Sequence, residues 1–149
     1  ASPTRAIWAG GAGLSNVIEY VTISSTGNTT DFGDILAAAN GVAGSSSSTR
    51  GIVAGGNTPS KQNVIQYVTI ASTSNSTDFG DLTTSKSNMT LNGSNNTIGG
   101  GQTPSASLTI DSITFASTGN GQDFGDITSS NLAGAYGQCG NSNGHGGLQ

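Results

Sequence analysis

With four Lys or Arg against eight Asp or Glu, the 149-residue chain carries a formal net charge of −4, and it lacks the basic footprint that nucleic acid or an anionic membrane requires. Only 32% of it is hydrophobic and 8% charged, while about half is Gly, Ser, Thr or Asn, so a large conventional core is excluded and the surface is one of hydroxyls and amides. The single cysteine, Cys139, cannot form an internal disulfide, and no run approaches the roughly 18 apolar residues of a membrane helix, so no membrane insertion is expected.

In chain order, Thr4 to Gly11 reads as a short strand ended by the pair Gly10-Gly11, since Ile7 and Trp8 favour strands and paired glycines break them. Val17 to Ile23 alternates with the two-residue period of a strand covered mainly on one face. Ser24 to Thr30 is then a polar turn, with Gly27-Asn28 expected to supply positive φ. Phe32, flanked by Asp31, Gly33 and Asp34, is the large apolar residue of its neighbourhood and is expected to anchor the segment in the core. Leu36 to Ala39 suggests one helical turn, and Gly41 to Gly44 a fourth short strand.

The order then repeats. Thr30-Asp31-Phe32-Gly33-Asp34 returns as Thr77 to Asp81 and as Gln122 to Asp126, with spacings of 47 and 45 residues, the signature of one supersecondary unit per copy. The glycine pair returns as Gly55-Gly56 and Gly100-Gly101, and the strand carrying Tyr20 returns with Tyr67, whereas Ser112 stands at that place in the third copy. Regularly placed β-branched and aromatic residues in all three copies argue against disorder. The copies cover about residues 1–48, 49–95 and 96–138, followed by a tail at 139–149. Loss of bulk at Ser112 points to a different neighbour for the third copy. Leu132 to Tyr136, the next strand-like stretch, is expected to complete the sheet begun by Thr4 to Gly11.

This pattern of strand, diglycine, strand with tyrosine and a later aromatic resembles the kelch repeat. The resemblance implies an all-β chain of three four-stranded repeats forming propeller blades. Gly10, Gly11, Gly55, Gly56, Gly100 and Gly101 would then be the diglycines, Tyr20 and Tyr67 the inter-blade tyrosines, and Phe32, Phe79 and Phe124 the stand-ins for the tryptophan. The wording of the repeat, including Asn16 to Ile35, is similar to repeats of marine phage structural proteins, cyanophages in particular, which implies a virion or extracellular location. Propellers close with roughly four to eight blades, so three require completion by oligomerisation.

Candidate chemistry is sparse. Asp31-Phe32-Gly33 spells the metal-binding triplet of protein kinases, but no phosphate loop with its lysine and no catalytic-loop histidine accompany it. Asp31 and Asp34, with Asp78, Asp81, Asp123 and Asp126, have the oxygen ligands a calcium ion takes, although acids three residues apart in a turn more often bond nearby amides, which is the preferred reading. His145 beside Cys139 lacks the third group that a catalytic or metal site needs. Trp8 is expected in a core or interface; exposed, it would offer a stacking surface for sugars. The expectation is a non-enzymatic structural or decorative protein of a phage virion or extracellular fibre, without cofactor or metal, partnered by itself and other virion or fibre proteins. A carbohydrate-binding adhesin for cell-surface glycans is the alternative.

Overall fold

The computed structural model describes residues 2–93, 97–99 and 107–128, and all regular structure within them is β. Gly100, Gly101, Leu132 to Tyr136, Cys139 and His145 lie outside these residues.

The strands are β1 (Arg5–Ala9), β2 (Ser15–Thr22), β3 (Thr30–Ala39), β4 (Ala43–Ser46), β5 (Arg50–Ala54), β6 (Asn57–Thr58), β7 (Ser60–Thr69), β8 (Thr77–Lys86), β9 (Thr90–Asn92), β10 (Thr97–Gly99), β11 (Thr109–Ser112) and β12 (Gln122–Asp126). They form three open antiparallel sheets, β1-β2-β3, β4-β5-β7-β8 with β6 folded back on β7, and β9-β10-β11-β12. Each sheet is therefore an up-and-down meander, and the three are termed units one, two and three.

The sheets run one strand out of phase with the sequence copies. β4 lies at the end of the first copy but pairs with β5 of the second, and β9, at the end of the second copy, pairs with β10 of the third. The first unit consequently has three strands. Among the described residues β1 pairs only with β2, so its other edge is open.

Three local expectations need correction. Leu36 to Ala39 is not a helical turn but the end of β3, where Ala39 is buried and pairs with Ser15. A lone turn of helix has little to offset its nucleation cost, whereas the ladder and the buried Ile35 and Ala39 hold an extended chain. The fourth strand falls at Ala43–Ser46 rather than at 41–44, because Gly41 takes a left-handed φ of 62° in the bend before it. Gly27 and Asn28 are not among the residues with positive φ. That conformation belongs instead to the repeated Asp-Phe-Gly-Asp motif, where Gly33, Gly80 and Gly125 have φ of 143°, 146° and 142°.

The motif is a β-bulge. Ile18 pairs with Gly33 and Glu19 with Asp31, so Phe32 is the extra residue on its strand. The same shift makes Phe79 extra between Gly80 and Asp78, and Phe124 extra between Gly125 and Asp123. A bulge re-aims the side chain it inserts, and the glycine after it accepts the backbone angle that a side chain resists.

The core lies between the units rather than within them. One cluster joins Ile18, Phe32, Ile35 and Ala39 of unit one to Val68 of unit two, with Val42 and Val53 packed against it. The other joins Ile52, Ile65, Phe79 and Leu82 of unit two to Met89, Ile113 and Phe115 around unit three. A single twisted sheet of so few apolar residues cannot bury its own faces, so each unit uses the next as its cover.

Candidate functional site, a joint made twice

The first two bulges land on the turn of the following unit, and two hydrogen bonds recur in both landings. The Asp34 N–H donates to Asn75 Oδ1 at 3.0 Å, and the Asp81 N–H to Asn120 Oδ1 at 3.0 Å. In return the Ser76 N–H donates to the Asp34 carbonyl at 2.8 Å, and the Gly121 N–H to the Asp81 carbonyl at 2.7 Å. The Gly119 N–H adds a bond of 2.8 Å to the Phe79 carbonyl. A side chain at Gly33 would place Cβ 2.4 Å from the Ser74 carbonyl oxygen, and one at Gly80 would place it 2.5 Å from that of Gly119. These glycines are thus required both by backbone angle and by the approach of the next unit.

Arginine locks the opposite end of the joint. Arg5 reaches the Ile70 carbonyl at 2.8 Å while its guanidinium lies 4.5 Å from the centre of the Tyr20 ring. Arg50 does the same with Phe115 at 2.7 Å and Tyr67 at 4.7 Å. Each tyrosine in turn meets its phenylalanine edge to face, Tyr20 with Phe32 at 5.8 Å and Tyr67 with Phe79 at 6.1 Å. Arginine over an aromatic face holds the ring while its N–H satisfies a backbone carbonyl of the next unit.

The two joints differ at one polar position. In the first, the buried Gln66 accepts from the Leu36 N–H at 2.8 Å and from Ser76 Oγ at 2.7 Å. In the second, Asp111 stands in its place and accepts from the Thr83 N–H and hydroxyl. Lys86, at the position of Ala39, meets Asp111 at 2.6 Å and donates to the Thr109 carbonyl at 2.8 Å, with both members of the ion pair fully buried. The acid and its cation have entered together, as a buried charge demands. Sequence reading missed this pair because Lys86 and Asp111 sit at places that differ in chemistry in every copy.

At the ends of the chain of units the joint is half made. Phe32 and Phe79 are 2% and 3% exposed, but Phe124, expected to play the same part, is 66% exposed in the single chain. Among the described residues nothing lies within 4 Å of a Cβ placed on Gly125. Among the described residues no unit follows to receive this bulge. On the other end Ile23 is 54% exposed, whereas its equivalents Ile70 and Phe115 are buried at 3% and 4%. Trp8, at the place of Val53, is also exposed rather than in a core. Two concavities adjoin these ends, one of about 640 Å³ beside Phe124 and Ser112, the other of about 510 Å³ between the open edge of β1 and β4.

Asp34 and Asp81 bind the next turn through their backbone, and the Asp123 carboxylate accepts from the Gly125 N–H at 3.0 Å. Among the described residues no three His, Cys, Asp or Glu side chains gather as a metal-holding group. The diglycines after β1 and β5 reach the last strand of their own unit, with the Gly11 N–H on the Ala39 carbonyl and the Gly56 N–H on that of Lys86. No family model matches the chain, and no curated protein matches it either.

Proposed function

We propose that the chain is a non-enzymatic structural or decorative protein of a phage virion or extracellular fibre, its units being kelch-like propeller blades completed by oligomerisation. The half-made joint at each end carries this reading. Repeat arrays that stand alone finish in units with polar outer faces, which keep the ends soluble. Here the outer faces present Trp8 and Ile23 at one end and Phe124 at the other. Such ends suit a component of a larger assembly, with copies of itself and other virion or fibre proteins as neighbours. Quantitative mass spectrometry of purified particles is expected to find it at a fixed, high copy number, and image reconstruction to place it at a repeating position. Absence from particles would reject the virion reading.

A second reading, a carbohydrate-binding adhesin, draws on the exposed Trp8 beside a surface of hydroxyls and amides. Aromatic faces stack on sugar rings while such side chains bond the hydroxyls. A glycan array separates the two, because a scaffold gives no selective signal.

A further inference from the structure

The internal joints specify what an outer face must look like, and the two faces left uncovered among the described residues match each other. We propose that unit three of one chain docks head to tail onto unit one of a second copy, in the register of the two internal joints. This deepens the assembly reading above and rests on it.

Equivalent positions define the contact. Asp126, in the place of Asp34 and Asp81, donates its N–H to Asn28, which stands where Asn75 and Asn120 stand. The Thr29 N–H returns to the Asp126 carbonyl, as those of Ser76 and Gly121 do inside the chain. Phe124 is covered by the turn that carries Ile23, and Gly125 leaves the space that the incoming Gly27 carbonyl fills in this register. The donors and acceptors that join bulge to turn are thus present on the two faces.

Size complementarity selects this pairing over a generic one. Inside the chain, Tyr20 of unit one and Val53 of unit two pack against the same buried cluster. The third unit has Ser112 where the tyrosine belongs, and a cavity of about 640 Å³ lies there. The first unit has Trp8 where the valine belongs, more than half exposed. The bulk lost from one face is thus present on the other. The sequence also has Asn95 where Arg5 and Arg50 stand, so the intermolecular joint lacks the arginine over a ring and is weaker than the internal ones. Association is therefore reversible and concentration-dependent.

Trp8 is the single tryptophan, so its fluorescence reports burial directly. The full chain is expected to shift to shorter emission wavelength as concentration rises, in step with a rise in mass by light scattering. Ile23→Asp and Phe124→Asp change exposed side chains, so each folds, remains monomeric and keeps solvent-exposed emission. Mixed together they regain a 1:1 dimer with one buried tryptophan signal, because each variant retains the face that the other has lost. Asn28→Ala is expected to weaken association roughly tenfold, the effect of one backbone N–H left without its acceptor. If the chain assembles but neither aspartate variant dissociates it, this joint is wrong while self-assembly stands. If the mixture stays monomeric, the faces do not pair head to tail. If the unaltered chain is monomeric at all concentrations, both readings fail.

Discussion

At the scale of the residue, the bulge phenylalanines form a controlled series, since Phe32 and Phe79 are buried at a joint and Phe124 is not. Phe32→Ala or Phe79→Ala is expected to cost about 3–5 kcal/mol in urea denaturation, the usual loss for a buried phenylalanine. Phe124→Ala in the monomer is expected to cost less than about 1 kcal/mol, as a surface change does. The bulge glycines form a second series. Gly80 and Gly125 share nearly the same φ, but among the described residues only Gly80 has a neighbour where Cβ would go. Alanine at either is strained by about 1–3 kcal/mol, and Gly80→Ala adds a collision with the Gly119 carbonyl. Denaturation is expected to show Gly80→Ala as the worse by at least about 1 kcal/mol, which isolates contact from strain.

At the scale of the element, the joint between β8 and β11 is organised by charge, where the joint between β3 and β7 uses an amide. Lys86→Ala alone leaves Asp111 buried without its cation and is expected to cost about 3–5 kcal/mol. The double variant Lys86→Ala with Asp111→Gln copies the Ala39 and Gln66 pair of the first joint, so it is expected to recover most of that loss. Denaturation of the two single variants and the double, read as a double-mutant cycle, checks it; additive losses would show that the two residues act independently.

At the scale of the whole molecule, the proposed assembly reuses between chains the contact that joins the units within one. A head-to-tail contact joins unlike faces, so it either closes a ring or runs into a fibre. Two copies of three sheets supply six, within the roughly four to eight over which propellers close. The open edge of β1 is the other element of closure, because a strand with unpaired N–H and C=O groups invites an added strand. The segment Leu132 to Tyr136, outside the described residues, is the one expected to fill it. A chain ending at Ser130 is therefore expected to lose the native oligomer by light scattering, and persistence of that oligomer would remove the segment from closure.

The sequence by itself determined the all-β class, the three copies and the strands that carry Tyr20 and Tyr67, because strand period and repeat spacing are local and survive in composition. It marked Asp-Phe-Gly-Asp as the invariant centre of the copy without revealing a bulge, since a bulge is defined by the register of the partner strand. It read Asn28 as a turn residue, yet the equivalent Asn75 and Asn120 serve as acceptors for a different unit, about forty residues away along the chain. It treated three phenylalanines as equals, and only tertiary structure separated them. Whether an apolar side chain is buried depends on which surface arrives to cover it, and for Phe124 that surface is not among the described residues of its own chain.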